Sequence, residues 1–311
     1  MFRYIIRRLL YTFPIIIGIA LVTFLLFNVV GGDPALMMVG RHSTAEHIAE
    51  VRAEYGYDQP LPIQFAKFLK QIATLDFGKS HATRQDIMEM IVRAAPVSFL
   101  VAAPALFLSI LISIALSLLV AFYRGTWLDR VVVVSGVTMI SVPSLSYILF
   151  GQYFLAFKWG YFPISGFSFD FPDVLSYLAM PVLILMALTI GAEVRFYRTV
   201  MLDEVNQDYI RTARSKGLPE RVVMFKHVLK NAMIPIITNV VIEIPFLIVG
   251  SLLIENFFSI PGMASQLVDA LSNADLPVIK AQVIILSLLY VMFNLISDIL
   301  YSLVDPRVVL K

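Results

Sequence analysis

Asn239 and Glu243 stand one helical turn apart within an apolar run, so an amide and a carboxylate share one helix face. An ionisable group at that depth is costly and faces protein or a wet cavity. Two uses are open to the pair. It can line a translocation path, or it can hydrogen-bond to a neighbouring helix or subunit. Pro245 follows, lacks a backbone donor, and can bend the helix there. Asn294 and Asp298 repeat the spacing where headgroups are close, which suits packing better. Residues for bond chemistry are scarce. With no cysteine there are no disulfides, thiolate nucleophiles or cysteine-based metal sites. His42, His47, His81 and His227 lack metal-ligand spacing, and no Gly-x-Ser-x-Gly elbow occurs. No catalytic residue and no metal site is therefore expected. Gly78-Lys79-Ser80 imitates a phosphate-binding loop, but the position that needs the preceding glycine holds Ala73. If ATP drives this protein, the ATPase is another chain.

The elements that position these residues are membrane helices. Of 311 residues, 59% are hydrophobic, and the mean hydropathy is +0.83, too apolar for an ordinary soluble domain. Crossing the hydrocarbon takes roughly 20 apolar residues. Six stretches qualify, near 9–30, 97–122, 131–157, 174–194, 233–254 and 279–304. The first is longer than a signal-peptide core and lacks a small-residue cleavage site, so it reads as a retained anchor. The fold expected is all-α and polytopic. Lys and Arg number three in 1–8, two in 123–130, eight in 195–232 and two in 305–311, against only Lys158 in 158–173 and 256–278. That bias puts both termini and the 195–232 loop in the cytoplasm. The net charge of +2 gives no reason to expect nucleic acid.

Two connections carry structure of their own. In the extracytoplasmic segment, Phe65, Phe68, Leu69 and Ile72 recur at helical spacing, and Ile87, Ile91 and Ala94 repeat the pattern. These predict two short amphipathic helices separated by a turn over Leu75 to Ser80. They form either a cap on the membrane domain or a surface for an external protein. In the cytoplasmic loop, Leu202, Val205, Tyr209 and Thr212/Ala213 form a narrow stripe on a charged helix. Asp203 and Glu204 begin it and Arg211, Arg214 and Lys216 end it, which complements the helix dipole. Gly217 suits a left-handed C′ position, Leu218 follows, and Pro219 prevents continuation. A second helix starts near Glu220 and leads into the fifth span. Such a helix could lie on headgroups. Its mixed charge and the small Ala213 and Gly217 suit docking into a protein groove better.

Asp208-Tyr-Ile-Arg-Thr-Ala-Arg-Ser-Lys-Gly-Leu218, with His227 and Asn231-Ala-Met-Ile-Pro235 after it, resembles the loop motif of ABC-importer permeases. The nearest likeness is to the B-type subunit of the dipeptide/oligopeptide and nickel permeases. Further pieces agree in order, among them Asp76-Phe77-Gly78, Ser141-Val142-Pro143-Ser144, Glu255 to Gly262, Asp275-Leu276-Pro277 and Asp305-Pro306-Arg307. Ser215 stands where Ala is common, a small-for-small departure. The resemblance spans essentially the whole chain and implies a bacterial inner-membrane permease subunit for peptides or related solutes. It implies an N-terminal part with the first helix (1–30), an extracytoplasmic segment (31–96) and a permease core (97–311) with a coupling loop at about 198–232. It further implies a second homologous permease, two cytoplasmic ATPase subunits holding ATP and Mg, an extracytoplasmic solute-binding protein, surrounding lipid, and no cofactor on this chain. The docking helix would present Asp208, Tyr209, Arg211, Thr212, Ala213, Arg214, Lys216, Gly217 and Leu218. Pro143 resembles a kink in the cavity wall beside the path candidates Asn239 and Glu243. The alternative is a self-sufficient ion-coupled transporter with Glu243 as its proton carrier, although no internal repeat supports it.

Overall fold

The computed structural model describes residues 2–40, 43–244, 247 and 250–304, and among these the fold is helical with no strand beyond one isolated bridge. The chain divides into two compact units. One comprises residues 1–98, 248–252 and 261–311, and the other 99–247 and 253–260.

In the first unit, α1 (Phe2–Leu25) continues as a π-helical stretch through Val30. Short helices α2 (Pro34–Val39), α3 (Ala45–Glu54) and α4 (Leu61–Thr74) follow. Asp33 caps α2 by accepting from the Ala35 N–H at 3.1 Å, and it pairs with Arg52 of α3. As the spacing predicts, α4 turns Phe68 and Ile72 inward. The turn over 75–80 is present: Leu75 ends α4 in the left-handed region, and Gly78 at φ +74° donates to the Asp76 carboxylate. The second amphipathic helix is not separate. Ile87, Ile91 and Ala94 form the first turns of α5 (Ile87–Phe122), one helix of 36 residues whose length is about 54 Å. Continuing the helix leaves no carbonyls to cap at the expected boundary. These residues pack with Phe24, Phe68 and Phe77, and with Ile279 and Ile284 of the last helix, into one core.

The second unit holds most of α5, then α6 (Trp127–Ser141), α7 (Ser144–Phe150, continuing as π-helix to Lys158) and α8 (Asp173–Val205). The expected third span is broken: Val142 is extended before Pro143, and the two halves meet at 95°. α6 and α8 cross closely, because a Cβ added at Gly191 would lie 2.7 Å from the Gly136 carbonyl oxygen. Asp129 and Arg198 join the same two helices through bonds of 2.7 and 2.9 Å. After α9 (Asp208–Ser215) the chain runs through α10 (Glu220–Val222), a π-helical stretch (Val223–Leu229) and α11 (Lys230–Glu243). α12 (Leu252–Phe257) follows, and α13 (Met263–Ser272) and α14 (Leu276–Val304) complete the order within the first unit.

Four described helices are long and apolar enough to cross a membrane: Leu10–Val30, Ile87–Phe122, Asp173–Val205 and Leu276–Ile296. The bent pair from Trp127 to Lys158 makes a fifth if it counts as one span. The expected span at 233–254 is helical as far as Glu243, and Pro245 lies outside the described residues.

Candidate functional site

The loop between α8 and α11 is built from two helix ends and a short helix. α8 runs 33 residues, past the expected exit near 194, and takes Leu202 and Val205 with it. The break comes at Asn206 and Gln207, where Gln207 is extended (ψ 151°), and α9 begins at Asp208. The single stripe expected from Leu202 to Ala213 is therefore split between two helices. The inward residues of α9 are Ile210 (0% exposed) and Ala213 (6%), while Tyr209 and Thr212 face outward. An offset of one residue turns a side chain by about 100° on a helix, so the break re-phases the stripe. Ile210 and Ala213 pack with Tyr197, Met201 and Val205 of α8 and with Val223, Met224 and Val228.

The C-terminus of α9 closes as the sequence predicts. Gly217 adopts φ +75° and donates to the Arg214 carbonyl at 2.9 Å, and Leu218 donates to the Ala213 carbonyl at 3.4 Å. This 6→1 and 5→2 pair is a Schellman closure. Across the turn, Arg214 donates to both carboxylate oxygens of Glu220, at 3.1 and 2.6 Å. That guanidinium holds the Glu220 carboxyl below the usual carboxylate range. Asp208, Arg211, Thr212, Lys216, Gly217 and Leu218 remain exposed. Tyr209 hydrogen-bonds to Glu204, which ties α9 back to the end of α8.

The second unit also gathers polar residues at membrane depth. The Asn239 amide donates to Glu243 at 2.8 Å along α11. Glu243 lies within electrostatic reach of Glu193, and Tyr197 feels both carboxylates. Glu193 (4% exposed) accepts from Ser109 at 2.9 Å and Ser113 at 2.7 Å, and Ser117 donates to the Val194 carbonyl at 3.0 Å. In the sequence Glu193 falls at the end of the apolar stretch near 174–194. The signal that could have found its partners is Ser109, Ser113 and Ser117 at i, i+4 and i+8, a hydroxyl stripe inside an apolar helix. Pro143 sits at the 95° break, immediately before α7. Asn294 donates to the Tyr290 carbonyl of its own helix, and the side chain of Asp298 lies outside the described residues.

Two family descriptions cover nearly all of the chain. "Binding-protein-dependent transport system inner membrane component" matches residues 113–310, and its N-terminal counterpart matches residues 1–102. The chain belongs to this permease family. Among its relatives is the glutathione transport system permease protein GsiC of Salmonella choleraesuis (strain SC-B67), 33% identical over 308 residues and 99% of both chains. A proposed peptide transport system permease protein of Brucella abortus (strain 2308) is 34% identical over 307 residues and 98% of both chains. The permease is thus a membrane-embedded transport subunit of an ABC importer rather than an enzyme. Membership in a binding-protein-dependent system removes the ground from the self-sufficient ion-coupled reading.

Proposed function

We propose that this permease forms one half of the membrane pathway of an importer for peptides or related small solutes, with α9 as its ATPase-docking helix. The observation that carries the docking assignment is the division of α9. Ile210 and Ala213 tie it into the unit's own core, while its charged face and the Gly217 turn stay exposed. A lever must be fixed at one side and free at the other, and this helix meets both conditions. The names of the relatives, one for glutathione and others for peptides, support the solute class.

In this reading the chain crosses the inner membrane six times with both termini in the cytoplasm, as the Lys and Arg distribution favours. It pairs with a second permease, receives solute from an external binding protein, and docks two ATPase subunits that hold ATP and Mg. Closure of the ATPases on ATP shifts the cavity between outward and inward access through differential stability of the two states. Asn239 and Glu243 contribute to the path, and Pro143 shapes its wall. Glu243→Gln should slow transport without preventing assembly, and normal uptake by that variant would remove Glu243 from the path.

The experiment that tests docking is Gly217→Asp. It forces a side chain into φ +75° and adds an acid to the exposed turn, where no heavy atom lies within 4 Å of the new Cβ. ATPase subunits should co-purify less with the variant, or hydrolyse ATP without transport, while the chain still inserts. Wild-type co-purification and uptake would take the coupling role away from this turn.

A further inference from the structure

The first unit holds a partly open cavity of about 110 Å³ whose wall includes Asn28, Tyr55, Tyr57, Gln64, Lys67 and Lys280. Lys280, 8% exposed, donates to the Asn28 side-chain oxygen at 2.5 Å and to the Tyr57 hydroxyl at 3.4 Å. Its ammonium also stands 4.9 Å from the centre of the Tyr57 ring. These are all neutral partners. Among the described residues no ion pair to Lys280 is formed. The nearby acid, Asp275, is occupied by the Ser80 hydroxyl at 2.5 Å and by the His81 and Ala82 N–H groups, each at 3.1 Å.

The neutral partners are themselves held in place. The Gln64 amide donates to the Tyr57 and Gln59 carbonyls at 3.2 and 2.7 Å, which points its oxygen at Asn28. Asn28 donates to that oxygen at 2.8 Å and so presents its own oxygen to Lys280. The chain of bonds therefore builds a seat for a cation and leaves its charge uncompensated. Burying an ammonium without a counter-ion is expensive, and a cation–π contact offsets only part of the cost. Among the described residues the Lys280 ammonium uses two of its three protons, and the Tyr57 hydroxyl accepts from Lys280 and donates to no other group. Burial first, then Tyr55 and Asp275, push the Tyr57 phenol well above its ordinary range, so the hydroxyl proton stays in place. Lys67 adds a second, exposed ammonium to the same wall.

We propose that this cavity binds a small oxyanion, a carboxylate or a phosphate, between the Lys280 ammonium and the Tyr57 hydroxyl, with Lys67 drawing it in. The site shares no residue with the docking helix or the Asn239–Glu243 pair, and it stands whether or not the cargo is a peptide. A carboxylate would come from a solute, a phosphate from a lipid headgroup or the medium.

The test uses the full complex in lipid nanodiscs, with line-broadening of 13C-acetate and of the 31P signals of inorganic phosphate and glycerol 3-phosphate. Saturable broadening should appear for acetate, for the phosphates, or for both in competition. It should vanish in Lys280→Met, persist in part in Lys280→Arg, and weaken about tenfold, or 1.4 kcal/mol, in Tyr57→Phe. Binding of acetate alone assigns a solute carboxylate, and preference for glycerol 3-phosphate over inorganic phosphate assigns a headgroup. No saturable broadening by any probe, or wild-type binding in Lys280→Met, overturns the site. If Lys280→Met fails to assemble, Tyr57→Phe and Lys67→Gln decide, and unchanged affinity in both overturns it.

Discussion

The turn at residues 75–86 and the turn at 206–220 both join helices through polar residues, yet they are secured in opposite ways. In the first, Asp275 (2% exposed) collects the Ser80 hydroxyl and two backbone N–H groups, and the Ser80 N–H reaches the Gln85 carbonyl at 2.9 Å. The Ser80 side chain and the His81 and Ala82 N–H groups are thus gathered on one buried carboxylate. In the second, apolar Ile210 and Ala213 supply the anchor, the backbone closes itself around Gly217, and the charges stay outside. A turn that spends its hydrogen bonds on its own chain is a fixture. One held by apolar contacts keeps its polar surface for a partner.

The sharpest way to break this comparison is Asp275→Ala. It strips the buried Ser80 hydroxyl and the part-buried His81 and Ala82 N–H groups of their acceptor. At about 1–3 kcal/mol for the buried group and less for the two that water can reach, the loss should be about 3 kcal/mol. Thermal unfolding in detergent, with proteolysis mapped to 76–86, checks it. An unshifted melting temperature would show that water replaces the carboxylate. Of similar size is Ile210→Ala, which empties a fully buried site and should cost about 3 kcal/mol. Here the readouts should differ: ATPase co-purification and coupling should fall further than the melting temperature does. Equal losses would make Ile210 an ordinary core residue.

The smallest effect belongs to Arg214→Gln. The Arg214–Glu220 pair is partly exposed, so solvent screening limits its loss to about 0.5 kcal/mol. Its pH dependence has a definite sign. The folded Glu220 carboxyl is held below its unfolded value by Arg214, so the contribution is complete above the unfolded value near 4.3. It is lost as pH falls through the lower folded value. A pH titration of melting temperature should show that acid-side loss in wild type and its absence in the variant.

Much of the turn at 206–220 was legible in the sequence. Gly217 supplies the left-handed residue that closes a helix, and Pro219, which lacks an N–H, keeps it from continuing. The spacing of Ile87, Ile91 and Ala94 marks a helical face that is buried, but their helix merges with the next span. Spacing reports phase along a chain and says little about where one helix ends and another begins. The stripe from Leu202 to Ala213 failed for that reason: the break at Gln207 moved the inward phase from Tyr209 to Ile210.

Local chemistry along the sequence determined that this chain is helical and apolar, that it carries no cysteine chemistry, and that it has a capped polar helix in a basic loop. Those properties depend on neighbours within a few residues. The tertiary structure alone decided that Asp275 holds residues 80–82, that Ser109 and Ser113 satisfy Glu193, and that Lys280 is seated by Asn28 and Tyr57. Each of those contacts joins residues more than 75 positions apart. A buried charge finds its partner only when the packing of helices brings distant segments within hydrogen-bond reach.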